Sequence, residues 1–113
     1  MKFGLLMPHF GEHANRRALL DGAVLSESFG FDSLWVRDHL VFEPHAEMEA
    51  ANNTFFEALT TLTAIGAVTE KISLGTGSLV PFRHPVHLAI SIATITRLVG
   101  DRMILVSVRN FRP

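Results

Sequence analysis

The chain has 113 residues, of which 48% are hydrophobic and 19% charged, with a formal net charge of -1. That is the size of one domain with ample core material. Its ten Lys and Arg are scattered, which leaves no electrostatic footprint for nucleic acid and no polybasic membrane anchor. The absence of cysteine excludes disulfides, thiolate zinc sites and a cysteine nucleophile.

The opening MKFGLLMP is too short for a secretory apolar region. No segment approaches the roughly 18 unbroken apolar residues of a membrane span. The expectation is a soluble, cytoplasmic protein.

In chain order, residues 3–7 form an apolar run closed by Pro8, which suits a buried strand. Residues 15–29 carry Leu19, Leu20, Ala23, Val24 and Leu25 at helical spacing, and Gly30 follows as a terminator. Residues 33–36, SLWV, predict the second strand, and a polar segment runs from 37 to 53. Thr54 and Glu57 have the spacing of a capping box, so a second helix is expected from 54 to about 69, with Phe55 and Phe56 in the core. Residues 72–74 predict the third strand, followed by the small residues Gly75-Thr76-Gly77-Ser78. Pro85 suits the first turn of a third helix that reaches 98 and stops at Gly100. Residues 103–108, MILVSV, are the fourth strand.

The order β-α-β-α-β-α-β predicts an α/β fold of parallel strands covered on both faces, joined by right-handed crossovers. Such folds place their chemistry at the carboxyl ends of the strands. Here those ends carry His9, then Arg37, Asp38 and His39, then Thr76, Gly77 and Ser78, and finally Arg109 and Asn110. All four exits share one rim, so SLWV reads as the buried strand and RDH as its emergence. Asp or His after a strand is also ordinary turn chemistry, and Arg37 reads as a solvated side chain or a local ion pair.

Among the six histidines, His9 and His13 are four apart and His84 and His87 three apart. Neither pair has a carboxylate at ligand spacing, so no metal site is assigned and loop or cap roles are expected. Gly75-Thr76-Gly77 lacks the further glycine and lysine of a phosphate loop. Its glycines imply either a backbone bend or close approach by a ligand.

Three stretches, MKFGLLMPHF, FGFDSLWVRDHLVF and ISLGTGSLVPFRHPVHLAISIATITRLVGDRMIL, together resemble the amino-terminal part of the luciferase-like monooxygenase superfamily, in the branch that uses F420 alongside relatives that use FMN. The resemblance implies a partial TIM (β/α)8 barrel, its first four parallel strands and three helices. It further implies hydride transfer via F420, or alternatively reduced FMN, on a small organic substrate. It assigns His39 the proton-transfer role and gives Asp38, His39, Thr76, Gly77 and Ser78 to the cofactor. His9 is placed on the substrate side of the rim. A distorted end of strand three, with a non-proline cis peptide, is expected at about Gly77–Ser78.

A full barrel needs about 250 residues, and after strand four the chain reads VSVRNFRP where the family continues with glycines and an aromatic. Residues 1–113 are therefore expected to be the amino-terminal part of a barrel, truncated after strand four. The alternative is a non-catalytic fragment or half-barrel that pairs with a second copy or a partner chain. A doubly wound domain of receiver or flavodoxin type would need acidic or hydroxyl residues after strand one, where Pro8 and His9 stand.

Overall fold

The computed structural model describes residues 1–39, 54–80 and 82–108. The elements are β1 (Gly4–Leu6), α1 (Arg16–Ser28), β2 (Ser33–Val36), α2 (Ala58–Val68), β3 (Ser73–Leu79), α3 (Pro85–Val99) and β4 (Met103–Ser107). The strands form one parallel sheet in the order β1-β2-β3-β4. A doubly wound sheet reverses its winding at a switch point. Here each strand lies beside its predecessor, which removes the receiver and flavodoxin reading.

Winding in one direction with right-handed crossovers puts every helix on the same face. Leu34, Val36 and Leu74 point to that face and join Leu19, Ala23, Leu62, Ile65, Ile95 and Val99 in one buried cluster. The alternate residues point the other way, where Leu6 is 57% exposed and Ile104 38% exposed. Among the described residues the helices cover one face of the sheet. The opposite face is the concave side, which a closed barrel fills with its own side chains.

Helix ends follow local chemistry. Asn15 caps α1, its Oδ1 accepting from the Ala18 N–H at 2.8 Å, and Gly30 follows at φ 84°. Pro85 opens α3, and Gly100 ends it at φ 77°. The second helix begins later than its Thr54–Glu57 spacing predicts. Residues 54–56 pair instead with the loop after β1, through an antiparallel bridge between Phe10 and Phe55 and bonds from Gly11 N to Thr54 O and Phe56 N to His9 O. Glu57 takes over as cap, accepting from the Thr60 N–H at 2.7 Å. Phe56 is consequently exposed and Phe55 half-buried rather than core.

Two side chains tie the amino-terminal edge of the sheet together. The Glu27 carboxylate, on α1, accepts from the N–H groups of Glu70, Lys71 and Ile72 ahead of β3. The Arg102 guanidinium donates to the carbonyls of Val99, Gly66 and Ile72 and to the Thr69 hydroxyl. No described helix is long and apolar enough to cross a membrane.

Candidate functional site

At the carboxyl edge, the tips of β2 and β3 frame a hollow of about 310 Å3. Arg37, Asp38 and His39 line it from one strand and Gly77 and Ser78 from the next, with Val108 beyond β4 completing the wall. The expected convergence of strand ends is thus present for His39, Asp38, Gly77 and Ser78. Arg109 and Asn110 lie outside the described residues.

The β3 wall is irregular. Thr76 pairs with Leu105 and Leu79 with Ser107, so β3 uses three steps where β4 uses two, which is a bulge. The Gly77–Ser78 peptide within it is cis, at the place the resemblance indicates. Thr76 is fully buried, and its hydroxyl donates to the Val106 carbonyl and accepts from the Val106 N–H, both at 3.1 Å. It closes the bulge against β4 and does not line the hollow.

The glycines have a further cause that sequence reasoning missed. Trp35 lies on the concave face, its Nε1–H donating to the Ser33 hydroxyl at 2.8 Å. A Cβ at Gly75 would overlap the indole ring, and one at Gly4 would come within 2.6 Å of its Nε1. Close approach is therefore made at Gly75 by the chain's own tryptophan. Gly77 is different. A Cβ built there meets the same ring only at an ordinary contact distance of 3.7 Å, and Gly77 lines the hollow. The strand also extends through the glycines to Leu79, past its expected end at residue 74.

Asp38 is 3% exposed, and its carboxylate is held on three sides. Oδ2 accepts from the Val80 N–H at 2.8 Å and from Arg83 Nη1, while Oδ1 accepts from Arg83 Nη2 at 2.8 Å. Arg83 also reaches Glu57 Oε1 at 2.6 Å. This chain of charges joins the β2 tip, the start of α2 and the approach to α3. Its hydrogen bond to Asp38, together with that to Glu57, holds the Arg83 guanidinium above its ordinary value despite burial. Burial works against the Glu57 carboxylate, but the Thr60 N–H and Arg83 more than reverse it, leaving Glu57 below the usual range.

Arg83 and Glu57 were not legible as site residues. Arg83 stands 45 residues from Asp38 and Glu57 stands 26 from Arg83. The one available signal was that a carboxylate entering the interior after SLWV needs a buried cation, and that Arg83 leaves the neighbouring strand tip. Arg37 itself lies over the Phe10 ring, 4.0 Å from its centroid.

His9 does not reach the substrate side of the rim. It is fully buried, with Nδ1 3.1 Å from the Met7 carbonyl and Nε2 2.8 Å from the Arg37 carbonyl. Burial keeps its imidazole below the ordinary value, partly offset by those two carbonyls. His13 sits on the surface beside Glu12 at 3.4 Å, and the His84 and His87 rings lie 5.1 Å apart at the start of α3. Among the described residues, no three His, Asp or Glu side chains gather as metal ligands.

A hollow of this size falls within the range of small-molecule sites. It presents an imidazole on one wall and accessible main chain on the other. That arrangement suits a flat ring supported by backbone and approached at its edge by a proton donor, so the residues present fit a flavin-like group.

Comparison with known proteins agrees with this layout. The family model for luciferase-like monooxygenase matches residues 1–112. An F420-dependent glucose-6-phosphate dehydrogenase of Microbacterium testaceum (strain StLB037) is 42% identical over 89 residues, which are 77% of this chain and 25% of the relative. The coenzyme F420 dependent tetrahydromethanopterin reductase from Methanopyrus kandleri superimposes with a TM-score of 0.68 at 26% identity, covering 94% of this chain and 26% of that one. An F420-dependent secondary alcohol dehydrogenase in complex with an F420-acetone adduct gives 0.75 at 25% identity, covering 94% and 31%. The chain spans about a quarter of the length of the curated relatives it matches. Its four strands and three helices are thus part of a (β/α)8 barrel, and the chain belongs to the luciferase-like monooxygenase family.

Proposed function

We propose that the full-length protein is an F420-dependent oxidoreductase, with FMN as the alternative cofactor, acting on a small organic substrate by hydride transfer. The observation that carries this reading is that His39 and the cis Gly77–Ser78 segment line one hollow at the carboxyl ends of the strands. The F420-dependent relatives add support for the cofactor class. When bound, the deazaflavin or flavin supplies the hydride-carrying ring.

The chain's own residues hold and orient. Gly77 and Ser78 would support the ring from behind, where a side chain at 77 would intrude. His39 would hold or move the proton at the ring edge or on the substrate, a role that suits histidine as a residue type because its unperturbed pKa lies near neutrality. Asp38, with its oxygens engaged by Val80 and Arg83, would orient the His39 segment rather than bond the cofactor through its carboxylate. Thr76 would act through the bulge it closes.

The test is an absorbance titration of the full-length protein with F420 and with FMN, repeated on His39→Ala. Saturable binding of one cofactor, with turnover reduced about 100-fold or more in His39→Ala, is the expected result. Unchanged binding and turnover in that variant would overturn the assignment.

A second reading has its own observation. β1 and β4 are the outer strands of the sheet, and Leu6, Ile104, Leu105 and Val106 are exposed there. Open edges of this kind invite pairing, and a second copy of a four-strand unit would supply the missing half of a barrel. Light scattering on the 113-residue chain decides it: a clean dimer supports pairing, and a monomer or aggregate removes it.

A further inference from the structure

Among the described residues, His9 is a buried titratable side chain near the hollow that the proposed chemistry leaves unused. Both ring nitrogens face carbonyl oxygens, yet a neutral imidazole can donate from only one. The Met7 carbonyl already accepts from the backbone N–H of His9 at 2.9 Å. The shorter contact, to Arg37 at 2.8 Å, therefore takes the ring proton, and the tautomer assigned from its partners is Nε2–H. Nδ1 is left facing an oxygen, a conflict that an apolar residue in the same slot would avoid.

The Arg37 carbonyl belongs to the peptide unit that leads into Asp38, one residue ahead of His39. The His9 carbonyl accepts from Phe56 N at 2.9 Å, which locks the segment carrying Phe55. The Phe55 ring lies 5.7 Å from the His9 ring and 6.2 Å from the His39 ring, the latter pair edge-to-face at 80°. Phe10 closes the other side of His9 at 5.0 Å and 89°. A single side chain thus touches the exits of β1 and β2 and the approach to α2, and His39 belongs to the second of these and lies against the third.

We propose that His9 is a positioning residue, whose Nε2–H fixes the Arg37–Asp38 peptide and, with Phe55 as spacer, the orientation of the His39 imidazole. The consequence for turnover rests on His39 acting as proposed above, whereas the consequence for the His39 ring does not. Arg37 and Asp38 are the charged groups that bear on His9, and both sit on the segment it restrains.

Three substitutions in the full-length protein separate this role from simple packing. His9→Gln can place an amide N–H near the Nε2 position, His9→Asn reaches only the Nδ1 position, and His9→Leu has no donor. The first readout needs no cofactor: the NMR ring-proton resonance of His39, identified by its loss in His39→Ala. The second is the division of any effect between kcat and KM. His9→Gln is expected to keep the His39 resonance in place and kcat within about threefold of the parent. His9→Asn and His9→Leu are expected to move that resonance and lower kcat by about 10–100-fold, with KM changed by less than about threefold.

If His9→Leu folds and leaves both the resonance and kcat unchanged, the inference is overturned. If His9→Leu does not fold, Gln and Asn decide, and identical behaviour of the two overturns it. Absence of cofactor binding in the parent protein would sink the proposed function alone, because the resonance of His39 still reads the positioning effect.

Discussion

At the amino-terminal edge of the sheet, Glu27 and Arg102 turn their hydrogen bonds mainly onto the main chain, whereas at the carboxyl edge Asp38, Arg83 and Glu57 bind one another. The first arrangement caps helix ends and fastens the start of β3. The second encloses a buried carboxylate while leaving His39 and the Gly77–Ser78 backbone turned to a hollow. Both edges use ion-bearing residues, but only one uses them to hold other side chains in place around an opening. The difference separates polar residues that fasten the main chain from polar residues that hold one another beside a hollow.

Breaking the carboxyl-edge cluster should have the largest effect on stability. Arg83→Met leaves the Asp38 carboxylate buried with only the Val80 N–H, and losing one partner of a buried pair costs about 3–5 kcal/mol. Arg83 retains some exposure, so the lower end of that range is expected in urea unfolding. A loss below about 1 kcal/mol would show that water replaces the guanidinium freely.

Next comes the concave face. Gly75→Ala forces a methyl into the Trp35 ring, and overpacking of this kind costs about 1–3 kcal/mol. Since Trp35 is the only tryptophan, its emission reports the displacement directly. An unshifted spectrum with unchanged stability would contradict the packing.

At the amino-terminal edge, Arg102→Met removes donors to four acceptors and is expected to cost about 2 kcal/mol with no change in cofactor affinity. The smallest effect belongs to Glu27. Loss of water around its carboxylate works against the charge, but the Ile72, Lys71 and Glu70 N–H groups more than reverse this and leave it below the usual range. The unfolded chain then binds the proton more readily, so the contribution is fully present above the ordinary carboxylate range. It is lost as pH falls through the depressed value. Glu27→Gln should remove part of this acid sensitivity, by well under 1 kcal/mol because the group is largely exposed. A pH-stability curve parallel to that of the parent would contradict the claim.

Much of this layout was legible from periodicity. The apolar runs and the punctuation by Pro8, Gly30, Pro85 and Gly100 place seven elements in the right order, and the residues after each strand locate the rim. What the pattern could not carry was tertiary. Thr54 has good cap chemistry but is drawn into pairing with the β1 exit. Gly75 has poor strand propensity, yet pairing on both sides and the overlying Trp35 make it part of β3, and Gly77 lies in the bulge through which the strand continues to Leu79. His9 follows a strand as a rim residue should, but a position after Pro8 says nothing about the direction of the ring. The Arg83–Asp38 and Arg83–Glu57 pairs join distant segments, and no local signal announces them.

The most direct test is a titration of the full-length protein with F420 and FMN, made in parallel on the parent, His39→Ala and Glu27→Gln. Saturable binding of one cofactor, with turnover lost in His39→Ala and retained in Glu27→Gln, is the predicted result. Equal behaviour of the two variants, or turnover undiminished without the imidazole at 39, would contradict the assignment of chemistry to the carboxyl edge.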